Sequence, residues 1–164
     1  MNTMPKTEPA DGAPPGTWSS DLVTVYRERY GNLVRLAYLL TGDEAIAEEI
    51  VQDAFVASHR TRVRLRDPYP YVRTAVVNRC RSWGRHDKVE RELRPRPAEH
   101  AQLGADEMWD ALASLTERQR VAIVLRFYED VPDSMIAELL GCRQSTVRSA
   151  IHRGLLSLRR VIDR

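Results

Sequence analysis

Cysteine is scarce in this 164-residue chain: Cys80 and Cys142 lie far apart, each within a stretch of helical apolar spacing. Two such thiols build neither a disulfide framework nor a metal-ligand cluster, and they read as buried thiols of a reducing compartment. Histidine is equally thin, with four scattered residues. No nucleophile–base pair or metal constellation is spelled out, so neither catalysis nor a cofactor is expected. Long apolar runs are missing as well. None approaches the roughly 20 residues that span a bilayer, and the N-terminus lacks the charged-then-apolar order of a signal peptide. The expectation is a soluble cytoplasmic chain with no membrane insertion. Strand-like alternation and internal repeats are also lacking, which points to an all-α fold.

Acids and bases are plentiful but unmixed. A net charge of +2 conceals a segment, residues 43–53, with five acids and no base, and another, 60–85, with eight arginines against Asp67 alone. Such polarity assigns different partners to different faces.

The apolar pattern divides the chain into two helical blocks. Residues 1–17, with four prolines and two glycines before residue 17, predict a disordered leader, and Trp18 marks where packing starts. The first block spans residues 18–86. Leu22, Val25, Tyr26, Leu33, Leu36, Ala37 and Leu40 define one amphipathic helix. Asp43 then caps a second, running to about Ser58 with Ile46, Ile50, Ala54 and Ala57 inward. Pro68 and Pro70 place the start of a third helix near Tyr71 and its end near Arg85. Residues 87–104 are charged, contain Pro95 and Pro97, and read as a flexible linker. The second block, 105–164, reads as four helices, with capping-box spacing at Thr116–Gln119.

Within that block, residues 133–159 have the pattern of a helix-turn-helix. Ala137 suits a close helix crossing, Gly141 a turn of positive φ, and Val147 a core plug. Val147, Ala150, Ile151, Gly154 and Leu158 fall on one side of the last helix, leaving Gln144, Ser145, Arg148, Ser149 and His152 on the other. Glutamine matches adenine, arginine matches guanine or phosphate, and Arg153, Arg159 and Arg160 add phosphate attraction. A second polar ridge follows from Thr74, Asn78, Arg81, Ser82 and Arg85, next to the loop aromatics Tyr69 and Tyr71. Rings for stacking and cations for phosphate suit a single strand, and an ordinary solvated helix face fits the same residues. Glu48, Glu49, Gln52 and Asp53 form an acidic face that DNA repels. It reads either as solvated or as a dock for a basic protein surface.

Three segments in this order, TGDEAIAEEIVQDAF, DPYPYVRTAVVNRCRSW and LTERQRVAIVLRFYEDVPDSMIAELLGCRQSTVRSAIHRGLLSLR, resemble the extracytoplasmic-function group of bacterial sigma-70 factors, especially its short SigE-like actinobacterial members. The resemblance implies a sigma-2 domain and a sigma-4 domain joined by the linker. It implies that Glu48, Glu49, Gln52, Asp53 and Phe55 dock on the β′ clamp helices of core RNA polymerase. Asn78, Arg81 and Ser82, with Thr74 and Arg85 along the same ridge, would meet the minus-ten element, and the loop with Arg64, Arg66, Tyr69 and Tyr71 would capture a flipped base. Arg143, Gln144, Ser145, Thr146, Arg148, Ser149, His152 and Arg153 would read the minus-thirty-five element, while the second block also meets the β flap. Promoter DNA and core polymerase are thus the implied partners, and an anti-sigma factor is a further one the group allows. Arg143 and Pro132 stand where serine is usual and Met135 where glutamate is; Arg143 cannot cap amides as a serine oxygen can and would touch phosphate instead, while Pro132 suits a first helical turn. A stand-alone helix-turn-helix regulator would share the second block. The acidic helix and the VVNRCRSW segment argue against it.

Overall fold

The computed structural model describes residues 8–9, 18–61, 63–64, 66–86 and 105–163. The expected linker, 87–104, and most of the leader lie outside these residues. Helix α1 spans Ser20–Thr41, α2 Glu44–Arg60 and α3 Pro68–His86; α4 spans Ala105–Ala113, α5 Glu117–Phe127, α6 Asp133–Leu140 and α7 Gln144–Ile162. The architecture is all-α apart from one short ladder. Glu8–Pro9 (β1) pairs antiparallel with Val63–Arg64 (β2). This departs from a wholly unstructured leader.

Local caps set the helix order of the first block. The Ser19 side chain accepts from the Leu22 amide at 3.2 Å and opens α1. Gly42, at φ 75°, closes it with its N–H on the Tyr38 carbonyl at 2.7 Å. Asp43 at once caps α2 through the Ile46 amide at 3.0 Å, so α1 and α2 turn back on each other. Leu33, Leu36, Ala37, Val51, Ala54, Val72, Val76 and Val77 fill the space between α1, α2 and α3. The inner stripe of α2 runs through Ala47, Ile50, Val51, Ala54 and Phe55, with Ile46 and Ala57 only half-buried at its edges. Helix α3 starts at Pro68, not near Tyr71. First-turn amides have no intrahelical acceptor, so both prolines fit there, and Asp67 Oδ1 takes the Tyr69 amide at 3.1 Å.

The second block is built on a capping box, a buried plug and one close helix approach. Thr116 accepts from the Gln119 amide at 3.3 Å and the Gln119 side chain accepts from the Thr116 amide at 3.1 Å, a pairing that stabilises a helix start by roughly 1 kcal/mol. Val147 is fully buried, as are Leu125 and Ile136 beside it. Gly154 lets α7 lie on α5: a Cβ there would stand 2.5 Å from Ile123 Cδ1.

The two blocks share one continuous core. The indole of Trp109 on α4 occupies the space that a Cβ on Gly42 would take. Arg120 stacks 5.0 Å from the Trp109 ring and donates to the Leu40, Leu112 and Leu115 carbonyls at 3.3, 3.0 and 3.1 Å. The Tyr128 hydroxyl donates to the Asn32 carbonyl at 3.3 Å. Of the two thiols, only Cys80 is buried; Cys142 is half-buried, because it follows the exposed turn at Gly141. Among the described residues, no helix is long and apolar enough to cross a membrane.

The same substitution at two glycines of this region should have opposite signs. Gly31 is exposed inside α1 with open space around it, so Gly31→Ala should stabilise by roughly 0.5–1 kcal/mol. Gly42→Ala adds left-handed strain and displaces the indole, and should cost roughly 2–4 kcal/mol in denaturant unfolding. Burial pushes the Cys80 thiol up to about 12. Its neutral form therefore stabilises the fold below the ordinary thiol value, and this contribution disappears as pH rises through about 12. At pH 8 a thiol reagent should label the native chain once, at Cys142, and the denatured chain twice, as counted by intact mass.

Candidate nucleic-acid interface

The last helix presents its polar side to solvent because its apolar side is consumed by the core. Val147, Ala150 and Gly154 are buried, Ile151 and Leu158 half-buried, and Gln144, Ser145, Arg148, Ser149, His152 and Arg153 all exposed. Thr146 is half-buried at the margin. The turn before α7 is fixed by Gly141 at φ 63°, with the Cys142 N–H on the Ala137 carbonyl at 3.0 Å. That six-to-one bond is the closure expected of a glycine C-cap. Arg143 and Pro132 occupy the cap positions of α7 and α6, and neither contributes a side-chain cap bond. The Thr146 amide donates to the Arg143 carbonyl at 3.0 Å, the Gln144 and Ser145 amides ahead of it receive no side-chain cap, and α7 contains no acid to repel an anion. Arg148 Nε lies 3.2 Å from Asp133 Oδ2, an exposed pair weak enough for phosphate or a base to replace. The other oxygen, Asp133 Oδ1, is buried without a hydrogen bond. It sits 3.5 Å from Arg126 Nε, near enough for attraction but not aligned for donation.

On α3, Tyr71, Asn78 and Arg85 are exposed, with Thr74, Arg81 and Ser82 half-buried along the same side. Arg66 is exposed ahead of the helix, whereas the Arg64 side chain lies outside the described residues. The two loop aromatics part company. Tyr71 faces outward, its hydroxyl 3.1 Å from Thr61 Oγ1. Tyr69 turns toward the second block, where its hydroxyl donates to Glu129 Oε2 at 2.7 Å. Arg29 and Arg73 sit over its ring at 5.0 and 5.6 Å. Burial, reinforced by the Glu129 acceptor, pushes the Tyr69 hydroxyl well above the ordinary tyrosine range. Arg81 is also engaged across the seam: Nε donates to Glu117 Oε1 at 2.8 Å and a terminal nitrogen to the Leu139 carbonyl at 3.2 Å.

The acidic face of α2 exposes Glu48, Glu49, Gln52 and Asp53 together. Phe55 does not join them. At 1% exposure it lies in the core, on the side of α2 turned toward α1, and its edge floors an open groove of about 520 Å³. Trp18, Tyr26 and Val56 form apolar walls, with Gln52 at the rim. Trp18 stacks on His59 at 5.3 Å and lies 6.2 Å from Phe55. Among the described residues, Arg27 is the one charged member of the groove lining, and the carboxylates of α2 lie on the neighbouring exposed face, so the groove suits a large apolar side chain of a partner. The sequence gives no local signal for this groove, since Trp18 and Tyr26 meet Phe55 only through folding. The same is true of Glu117 and Glu129, whose partners are distant in the chain.

Two family models match the chain, "Sigma-70 region 2" over residues 25–89 and "Sigma-70, region 4" over residues 105–158. The RNA polymerase sigma-E factor of Streptomyces coelicolor is 30% identical, with 81% of each chain covered. The ECF RNA polymerase sigma factor SigE of Mycolicibacterium smegmatis is 32% identical, covering 81% of this chain and 58% of that relative. Among solved structures, the sigma factor RpoE of Bartonella quintana, in complex with the anti-sigma factor NepR, aligns at TM-score 0.70 and 20% identity. That alignment covers 88% of this chain and 98% of that one, and it supports the fold alone. The exposed, acid-free α7, the arginine-bearing α3 and the matches to both sigma regions lead to one assignment: the chain belongs to the extracytoplasmic-function group of sigma-70 RNA polymerase sigma factors.

Proposed function

We propose that this sigma factor reads a promoter at two points, one as duplex and one as melted strand. Residues 105–164 would form the duplex-reading domain, 18–86 the polymerase-docking and strand-binding domain, and 87–104 the linker. The observation that carries the reading is the wholly exposed polar face of α7, with Gln144, Arg148 and His152 projecting from a helix anchored by Val147. In a major groove Gln144 suits adenine, Arg148 guanine or phosphate, and Arg143, Ser145, Thr146, Ser149 and Arg153 the backbone of the minus-thirty-five element.

The α3 ridge would take the non-template strand of the minus-ten element. Tyr71, exposed at the N-terminal end of the ridge, is the better ring for stacking a flipped base, since the Tyr69 hydroxyl is committed to Glu129. Thr74, Asn78, Ser82 and Arg85 extend the ridge, and Arg64, Arg66 and Arg81 add phosphate attraction. Binding a base only after it leaves the stack favours the open promoter over the closed one without any bond chemistry. Glu48, Glu49, Gln52 and Asp53 would meet the basic β′ clamp helices, and the groove over Phe55 would receive an apolar side chain beside them. The β flap is proposed for the second block. An anti-sigma factor is a further proposed partner, as the complex of the Bartonella relative suggests.

Replacing both Glu49 and Asp53 by lysine should weaken binding to core polymerase at least tenfold in a fluorescence titration while helical content stays unchanged. Equal affinity would remove the docking assignment. Arg148→Ala should lower promoter-directed initiation roughly tenfold, as expected for loss of one base or phosphate contact worth about 1–3 kcal/mol. The transcription assay with core polymerase should regain activity on templates altered in the upstream element and not on those altered in the downstream one.

A further inference from the structure

On the exposed side of α7, the Arg148 guanidinium is held from outside its own helix. Its Nε donates to Asp133 Oδ2 at 3.2 Å, and Asp133 belongs to the first turn of α6. The placement follows from helix packing. Asp133 lies one turn ahead of the buried Ala137 and Arg148 directly follows the buried Val147, so both side chains emerge at the edge of the contact between α6 and α7. The helix dipole favours an acid in a first turn, which alone would account for a solvated aspartate there. It does not account for the burial. Asp133 Oδ1 is closed off from solvent with no hydrogen bond among the described residues, 3.5 Å from Arg126 Nε near the end of α5. A buried acceptor without a donor costs the fold stability. That cost falls on the residue whose other oxygen fixes a member of the DNA-facing set.

With Nε donating to Asp133, the two terminal nitrogens of Arg148 are left for a ligand, and their parallel donors match O6 and N7 of guanine. A phosphate competes for the same nitrogens. The carboxylate biases that competition, because it repels a second anion and leaves the uncharged acceptors of a base edge undisturbed. Resting on the duplex-reading role proposed for α7, we infer that Asp133 is a positioning residue, which holds the Arg148 guanidinium end-on to the groove and makes it a reader of guanine in the upstream element. Arg126 attracts the same carboxylate from α5. One side chain from each of the three helices thus joins a single charged row. Gln144 and His152 stand one turn to either side of Arg148, so a fixed guanidinium also sets the register in which the three meet the groove.

The test is transcription by core polymerase with the full chain from templates randomised in the upstream element, read by sequencing. The unmodified chain should prefer guanine about tenfold at one position, and Arg148→Ala should erase that preference. Asp133→Ala should cut it below about threefold and leave preferences at other positions within about twofold. In the Arg148→Ala background, Asp133→Ala should have no further effect there, because the two side chains act as a unit. Binding of the full chain to a nonspecific duplex at several salt concentrations gives a second readout. Asp133→Ala releases Arg148 to phosphate and should steepen the dependence of log affinity on log salt by about 0.9, which loss of a purely structural contact would not do. Glu138→Ala removes an exposed acid from the same helix and should leave both readouts unchanged. If Asp133→Ala loses the fold, Asp133→Asn, which keeps the shape and removes the charge, should still steepen the salt dependence. Guanine preference kept in Asp133→Ala but lost in Arg148→Ala overturns the positioning role alone. Uniform weakening at every position, or an equal change from Glu138→Ala, overturns it too. Preferences that Arg148→Ala leaves intact overturn base reading by Arg148, and the positioning role with it.

Discussion

The arrangement of the whole chain depends on α1 stopping at Gly42. A residue with a side chain at φ 75° would be strained, and its Cβ would run into the Trp109 indole. With glycine there, the ring lies over the end of α1 and supports the Arg120 guanidinium, which serves the Leu40, Leu112 and Leu115 carbonyls together. Each is a carbonyl at or near a helix end, where intrahelical donors run out. One cation thus satisfies acceptors from α1, from α4 and from the turn beyond α4. The second block is held against the first by this joint, and the contacts of Glu117 and Glu129 follow from it.

That joint brings two kinds of surface into one molecule. The α7 face is polar in its N-terminal half because Val147, Ala150 and Gly154 are spent on the core, whereas Leu155, Leu156, Val161 and Ile162 stay exposed in its C-terminal half. The α3 ridge is different. Its arginines and tyrosines lie near a seam and are shared between intramolecular acceptors and solvent. The acidic face of α2 points to neither. Carboxylates there stand beside an aromatic groove, a combination that favours protein over nucleic acid.

Much of this was legible in the residues themselves. Ala137, Gly141 and Val147 report a helix-turn-helix because turn geometry and close packing act over a few residues, and Thr116 with Gln119 reports a helix start for the same reason. The reach of α3 back to Pro68 was less legible, because a proline that breaks a helix interior is welcome in a first turn. The resemblance names Phe55 as a docking residue beside Glu48, Glu49, Gln52 and Asp53; its inward direction is set by packing with Trp18, just ahead of α1, and Tyr26 on α1. The partners of Arg81 and Tyr69 lie 36 and 60 residues away. Charge patterning records that an arginine wants an anion, but which anion reaches it is decided by tertiary packing.

The central claim is that one chain directs core RNA polymerase by reading two separated DNA elements. The most direct measurement is to sequence the transcripts that core polymerase makes from a randomised promoter library, with and without this protein. The account predicts transcripts, dependent on the protein, that start downstream of two recurring elements at fixed spacing, with the downstream element read as the non-template strand. Transcripts enriched for a single element, or no start dependent on the protein, would contradict it.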